Sequence, residues 1–190
     1  GTGLGETEAA EPLAARHPGE VALLLLAGPE QVDARAADAG VNADVARETP
    51  RAAAEHLTPL TLEMGGKSPA IVDRSVSPTQ VAKRLAWGKA LNAGQVCIAP
   101  DYLLVEEGIL EEMVSALIQR WNQCFTGDVA SSKEYGRIVN AAQFERLKDT
   151  LDDALSKGAK VLHGGKYDAD SRFMEPTILG DVTMEMRVMQ

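Results

Sequence analysis

The fold of this chain is decided by the stretch PAIVDRSVSPTQVAKRLAWGKALNAGQVCIAPDYLLV, residues 69–105. It opens with a short apolar run at residues 69–72, which predicts a strand. Ser77-Pro78 then gives an N-cap residue followed by proline at the first helical position, so a helix should begin there and end near Asn92. The second apolar run, residues 101–105, predicts the next strand. A strand, a helix and a strand in this order are typical of an α/β fold.

Further elements extend the same alternation in both directions. Upstream, the continuous apolar run Val21–Ala27, closed by Gly28-Pro29, is typical of a buried strand in a parallel sheet. Downstream, apolar residues at a spacing of four predict two amphipathic helices, and Gly158 marks the end of the second. We therefore predict an α/β fold with a mainly parallel sheet. Its remaining elements are helices at 49–56, 109–121 and 144–155 and strands at 60–64, 159–162 and 174–179.

Composition restricts the possible partners and the compartment. The chain has 190 residues and a net charge of −9, and an acidic surface repels phosphate backbones, which argues against a nucleic-acid partner. No apolar run approaches the roughly 18 residues that a membrane span needs. The two cysteines, Cys97 and Cys124, cannot form a disulfide framework, and the three histidines are scattered without metal-ligand spacing. These features predict a cytoplasmic protein without a metal site, in which Cys124 packs in the core at the end of an apolar helix.

Cys97 lies in the segment Asn92-Ala-Gly-Gln-Val-Cys-Ile-Ala-Pro100, between a predicted helix and a predicted strand. Gly94 permits a close approach of the backbone, and Pro100 fixes the direction in which the chain leaves the loop. A thiol in such a loop can meet a substrate, so Cys97 is a candidate nucleophile. The alternative is a small buried side chain, which is common for free cysteine, and the loop alone does not decide between the two.

Glu63 stands in the segment Thr61-Leu-Glu-Met-Gly-Gly-Lys-Ser-Pro69, inside a predicted apolar strand that two glycines follow. Burial raises the pKa of a carboxyl group, and a raised pKa suits a general base that works near neutral pH. The alternative is an exposed glutamate on an edge strand, or one paired with Lys67. Taken alone, the motif favours this second interpretation.

Taken together, the two motifs resemble the signatures of the aldehyde dehydrogenase superfamily. Residues 62–69 resemble its glutamate signature, Gly94-Gln-Val-Cys97 resembles its cysteine signature, and the separation of 34 residues between Glu63 and Cys97 is similar to that of the family. The run Cys97-Ile-Ala-Pro-Asp-Tyr102 most resembles the class 3 branch, which includes coniferyl and fatty aldehyde dehydrogenases. Similar segments continue downstream, so the resemblance covers about residues 51–190.

The resemblance implies oxidation of an aldehyde to a carboxylic acid with NAD or NADP as cofactor. Cys97 would attack the carbonyl carbon to form a thiohemiacetal, and Glu63 would activate the water that hydrolyses the later thioester. Met64 and Gly65 would contact the nicotinamide. Gly28 would occupy the turn that receives the cofactor pyrophosphate, where Pro29 replaces the serine of the family.

The resemblance also implies a domain organisation and partners. Residues 1–64, divergent over 1–50, would be the tail of a Rossmann-like cofactor domain, and residues 65–190 would be most of an α/β catalytic domain, truncated at its C-terminal end. The full-length form would be a homo-oligomer that takes a small-molecule aldehyde, with neither nucleic acid nor membrane as a partner. Two hypotheses follow: an active NAD(P)-dependent aldehyde dehydrogenase, or a truncated, inactive relative that serves only as a folded or interaction module.

Overall fold

The computed structural model describes residues 21–26, 41–61 and 65–190. Within these ranges the chain forms four α-helices and seven strands. The helices are α1 (Val41–Glu55), α2 (Pro78–Ala90), α3 (Leu110–Cys124) and α4 (Ala141–Ser156). The strands are β1 (Val21–Leu26), β2 (Ser68–Val72), β3 (Pro100–Val105), β4 (Lys160–His163), β5 (Tyr167–Asp168), β6 (Phe173–Met174) and β7 (Thr177–Gly180).

The main sheet has the strand order β2-β3-β1-β7-β4. Its β2–β3 pair is parallel, because the crossover through α2 returns the chain to the edge from which β2 started. The β1–β3, β1–β7 and β4–β7 pairs are antiparallel. The α/β class is confirmed, but the described strands form a mixed sheet and not the mainly parallel one that the sequence predicts. The small β5–β6 ribbon reverses the chain between β4 and β7, so that β4 and β7 pair in antiparallel orientation.

Helices α2 and α3 cover one face of this sheet. Alternate residues of β3, among them Leu103 and Val105, are buried there, and Met113, Leu117 and Trp121 come up from α3 to meet them. The indole Nε1 of Trp121 donates a hydrogen bond to the carbonyl of Ala86 in α2 at 3.1 Å. The contact fixes α3 against the helix that leads into the Cys97 loop.

A second cluster of buried residues lies below the Cys97 loop. Ala93, from the loop itself, packs with Tyr135, Ile138, Phe144 and Phe173. The hydroxyl of Tyr135 donates a hydrogen bond to the carbonyl of Met174 at 3.1 Å, so the polar end of this buried ring has a partner. We call these buried residues the floor cluster, and they support the Cys97 loop.

Most of the predicted elements downstream of residue 65 are confirmed. Helix α2 begins at Pro78 after Ser77 and ends with Leu91 as its C-cap residue. Gly158, with φ of +99°, follows the end of α4. The strand predicted over 174–179 is interrupted, since β6 ends at Met174 and β7 begins at Thr177; Pro176 lies in the gap, and it has no N–H for a ladder.

The amino-terminal predictions fare differently. Pro50 lies inside α1, which begins at Val41, so the helix start predicted at Thr49-Pro50 is wrong. Of the strand predicted over 60–64, Leu60 and Thr61 are not in a strand, and residues 62–64 lie outside the described residues. No helix in the part of the chain described here is long and apolar enough to cross a membrane.

Candidate active site

Cys97 lies in the connection between α2 and β3, which begins with a strained turn. Asn92, Ala93 and Gly94 have φ angles of 51°, 53° and 76°, all in the left-handed region. This conformation is easy for glycine and is adopted by asparagine with a local side-chain hydrogen bond, here from the Nδ2 of Asn92 to the carbonyl of Gln95 at 3.3 Å, but it costs alanine roughly 1–2 kcal/mol. Ala93 persists in it only where the surroundings hold the residue in place, and Ala93 is buried to 1% exposure in the floor cluster.

The cysteine itself occupies a tight turn directly after that strained segment. The N–H of Ala99 donates to the carbonyl of Val96 at 2.9 Å, which puts Cys97 and Ile98 at the two central positions. Both side chains are exposed, Cys97 as a free thiol and Ile98 at 78%. Cys97 is therefore not a buried structural cysteine, and its sulfur is accessible, as that of Cys124 also is.

The segment that follows the glutamate motif contacts this turn. A Cβ on Gly66 would lie 3.2 Å from the carbonyl oxygen of Cys97, and the hydroxyl of Ser68 lies 3.5 Å from the same oxygen. A side chain at position 66 would therefore press on the cysteine turn, and glycine lets the backbone come this close without that contact. The structure thus brings Gly66 and Ser68, in the described end of the glutamate motif, to the cysteine turn.

The other predicted site residues divide between described and undescribed parts of the chain. Gly65 is described, partly buried, and adjoins Gly66. Glu63 and Met64 fall within residues 62–64, and Gly28 within residues 27–40, all outside the described residues. Their roles remain predictions from the sequence.

A buried group of charges lies beside the loop and was not predicted. Lys67 forms an ion pair with Asp101 and donates a hydrogen bond to the carbonyl of Val188. The Nζ of Lys89 lies 3.7 Å from the other carboxylate oxygen of Asp101. Lys67 follows the glutamate motif, Lys89 ends α2, and Asp101 lies in β3. The three charges connect all the segments that border the Cys97 loop.

Lys89 is the most deeply buried member of this group, at 3% exposure. Burial lowers its pKa from 10.5 to about 8, and the carboxylate of Asp101 opposes that change while the positive charge of Lys67 adds to it. The carboxylate of Asp101 thus interacts with the ammonium groups of two lysines. The sequence contained a signal for the burial of Lys89, since it falls four and eight residues after Leu85 and Val81 on the apolar face of α2. The sequence held no signal for the pairing of Lys67 with Asp101.

Gln95 makes a further set of contacts that the sequence analysis missed. Its Nε2 donates to the carbonyls of Asn92 at 2.8 Å and Arg137 at 3.1 Å. Its Oε1 accepts from the N–H of Val139 at 2.9 Å. One side chain therefore joins the strained turn to a segment more than forty positions later in the sequence.

The second cysteine differs from its prediction. Cys124 is the last residue of α3 and is exposed, so the prediction that it packs in the core is wrong. The apolar face of α3 turns away from this position, because Met113, Leu117 and Trp121 recur every four residues and the next on that face is Phe125. Among the residues the structure describes, no group of three His, Cys, Asp or Glu side chains is arranged to hold a metal ion.

Comparisons with known proteins bear on the same region. A family model described as "Aldehyde dehydrogenase family" matches residues 40–190, so the chain belongs to the aldehyde dehydrogenase family, whose members use NAD(P). Its relatives include class 3 enzymes, as the sequence around Cys97 predicts. The rat dimeric NADP-preferring aldehyde dehydrogenase is 45% identical over 139 residues, 73% of this chain and 30% of that protein. Mouse aldehyde dehydrogenase family 3 member A2 is 41% identical over 149 residues, 78% of this chain and 30% of that protein.

A solved structure agrees with these matches. The substrate-bound state of Staphylococcus aureus AldH superposes with a TM-score of 0.69 at 39% identity, and the match covers 77% of this chain and 31% of that one. The chain thus spans about 30% of the length of the curated relatives it matches.

Proposed function

We propose that this chain carries the catalytic pair of an NAD(P)-dependent aldehyde dehydrogenase, with Cys97 as nucleophile and Glu63 as general base. The observation that supports it most is the contact of Gly66 with the carbonyl of Cys97, which joins the glutamate motif to the cysteine turn. Glu63 precedes Gly66 by three positions, and three residues of chain reach at most about 11 Å. Membership of the family adds weight to both assignments.

The first step belongs to Cys97. Its thiolate attacks the carbonyl carbon of the aldehyde, a C–S bond forms, and the carbonyl oxygen becomes the oxyanion of a thiohemiacetal. The backbone N–H of Cys97 is a candidate donor to that oxyanion. The exposed position of the thiol lets a substrate approach it, and a thiolate is also a good leaving group in the last step.

NAD or NADP, when bound, supplies the hydride acceptor that turns the thiohemiacetal into a thioester. The described residues fit such a group, because Gly65 and Gly66 present backbone without side chains in the segment that approaches Cys97, where a Cβ on Gly66 would lie 3.2 Å from the Cys97 carbonyl oxygen. Gly65 would contact the nicotinamide, together with Met64. Gly28 would lie against the pyrophosphate.

Glu63 acts in the step that releases the product. Its carboxylate takes a proton from water, the resulting hydroxide adds to the thioester carbonyl, and the thiolate of Cys97 leaves with the C–S bonding electrons. The carboxylic acid departs and the free thiolate is regenerated. The glycines after Glu63 allow the base to move relative to the cofactor.

The test is aldehyde-dependent formation of NAD(P)H, followed by ultraviolet absorbance, for the wild-type chain, Cys97→Ala and Cys124→Ala. We expect turnover in the wild type and in Cys124→Ala, and none in Cys97→Ala. The Cys124 variant is the matched control, because it removes the other exposed thiol of the chain. Absence of turnover in a folded wild-type chain would contradict the proposal and favour the inactive, interaction-module hypothesis.

A further inference from the structure

The strained turn before Cys97 raises the question of what holds it. Asn92 and Ala93 both have a Cβ and both adopt left-handed backbone angles. The hydrogen bonds within the turn are local, from the N–H of Gln95 to the carbonyl of Asn92 at 3.1 Å and from the N–H of Val96 to the carbonyl of Gly94 at 2.9 Å. Local bonds of this kind form in many loop conformations. A restraint from outside the loop is needed to select this one.

The side chain of Gln95 supplies that restraint. Its amide uses both functions at once, donating to the carbonyls of Asn92 and Arg137 and accepting from the N–H of Val139. The carbonyl of Asn92 thereby receives both the backbone N–H and the side-chain amide of the same residue. The strained peptide is held on one side by its own turn and on the other by the segment 137–139.

The segment 137–139 is firm enough to serve as an anchor. Ile138 is buried to 1% exposure. Its N–H donates to the carbonyl of Arg172 at 3.0 Å, and the Nε of Arg172 donates back to the carbonyl of Ile138 at 3.0 Å. The guanidinium of Arg137 donates to the carbonyls of Tyr135 and Gly136 at 3.0 and 3.2 Å.

The two segments are also in direct contact. A Cβ on Gly136, the residue before the anchor, would lie 3.4 Å from the backbone nitrogen of Ala93, which is ordinary van der Waals contact. Cys97 follows Gln95 by two residues. Any rotation of the turn at residues 92–94 is therefore transmitted to the backbone that carries the thiol.

We propose that Gln95 is a positioning residue for Cys97, whose side-chain amide fastens the left-handed turn to the segment 137–139 and so fixes the orientation of the thiol. This inference rests on the proposed role of Cys97 as nucleophile. Gln95 does not touch the reacting atoms; it acts through the backbone of residues 92–97.

The experiment measures the alkylation of the two cysteines of one chain by iodoacetamide. Trypsin separates them, because Cys97 falls on the peptide 90–120 and Cys124 on the peptide 121–133. The ratio of the two rates is an internal measure, since Cys124 is exposed at the end of α3 and meets the same reagent in the same sample. The variants are Gln95→Met, which keeps the length of the side chain but removes all three hydrogen bonds, and Gln95→Glu. The glutamate keeps an acceptor for the N–H of Val139 but places a carboxylate against two carbonyl oxygens.

We expect Cys97 to react faster than Cys124 in the wild type, and the ratio to fall about tenfold in both variants, because release of the turn changes the accessibility and the surroundings on which the reactivity of a thiol depends. The matched control is Gln143→Met on α4. It removes a half-buried glutamine whose Oε1 accepts from Arg146 at 2.7 Å, and it should keep the wild-type ratio. Circular dichroism well below the melting temperature verifies that each variant is folded.

Each contrary result has a distinct meaning. A Gln95 variant that melts earlier but keeps the wild-type ratio would show that the residue supports only the fold, and it would overturn the positioning role. A fall in Gln95→Met without a fall in Gln95→Glu would overturn the role of the amide donor. Equal rates of Cys97 and Cys124 already in the wild type would instead contradict the proposed function itself, and the inference with it.

Discussion

Replacing Lys89 with methionine should stabilise the protein at neutral pH, and the gain should shrink as the pH rises. Methionine has nearly the length of lysine but no charge to bury. Asp101 keeps Lys67 as its partner in the variant, so the substitution does not leave an uncompensated carboxylate. The ammonium of Lys89 carries a desolvation penalty in its buried position, which methionine does not have.

The magnitude follows from the pKa of Lys89, which burial lowers from 10.5 to about 8. Each pH unit between the two values corresponds to about 1.4 kcal/mol, so the proton on Lys89 lowers the free energy of unfolding by about 3 kcal/mol below pH 8. From about pH 8 to about 10.5 the unfolded chain retains that proton while the folded protein releases it, and stability therefore rises with pH. The methionine variant lacks this rise. Its advantage over the wild type should fall by about 2 kcal/mol between pH 7.5 and 9.5.

The assay is urea unfolding followed by circular dichroism at several pH values, with Lys83→Met as control. Lys83 is exposed on the same helix, so its replacement should leave the pH dependence unchanged. Burial raises the pKa of Tyr135 well above 10.0, which lowers stability at still higher pH, but this contribution is common to all variants and cancels in the difference. A difference between wild type and Lys89→Met that stays constant with pH would refute the reasoning, as would a variant less stable than the wild type at pH 7.5.

Three further substitutions have defined outcomes. Glu63→Gln should leave acylation of Cys97 by an activated nitrophenyl ester intact but slow the hydrolysis of the acyl-protein at least tenfold. Stopped-flow absorbance of the released nitrophenolate would then show a full burst and a reduced steady-state rate. An unchanged steady-state rate would contradict the role of Glu63 as base. Gly66→Ala places a Cβ 3.2 Å from the carbonyl oxygen of Cys97 and should slow alkylation of the Cys97 thiol. An unaltered rate would mean that the loop shifts to accommodate the methyl group without moving the thiol. Gly164→Ala combines a φ of +74° with a Cβ 2.2 Å from the carbonyl oxygen of Pro176 and should cost roughly 2–4 kcal/mol in urea unfolding, which a wild-type midpoint would disprove.

The local elements around the site could be predicted because their signals lie within a few residues. Ser77-Pro78 marks the start of α2, and the apolar runs on either side give β2 and β3. The parallel pairing of those strands follows from the helix between them. The order of the whole sheet could not be predicted, because the position of β1 between β3 and β7 depends on contacts between residues far apart in sequence.

The same distinction applies within the site. The cysteine and glutamate motifs each carry a local pattern, and their spacing made the pair recognisable. The contacts that hold the cysteine turn carry no such local pattern in the sequence. Gln95 contacts residues 137 and 139, and Lys67 pairs with Asp101, 34 positions later in the sequence. At Pro50 the opposite occurred: the local pattern predicted the start of a helix, but the residue lies inside a longer helix that begins at Val41.

The central claim, that Cys97 is the nucleophile, is tested most directly by the site of acyl transfer. Incubation with p-nitrophenyl acetate lets a thiolate displace nitrophenolate and retain the acetyl group as a thioester, with no cofactor required. Acid quenching, tryptic digestion and mass spectrometry then locate the acetyl group on the peptide 90–120 or 121–133. The account predicts acetylation of Cys97 well before that of Cys124, and loss of the fast phase of nitrophenolate release in Cys97→Ala. Acetylation of both cysteines at the same rate, or of Cys124 first, would contradict it.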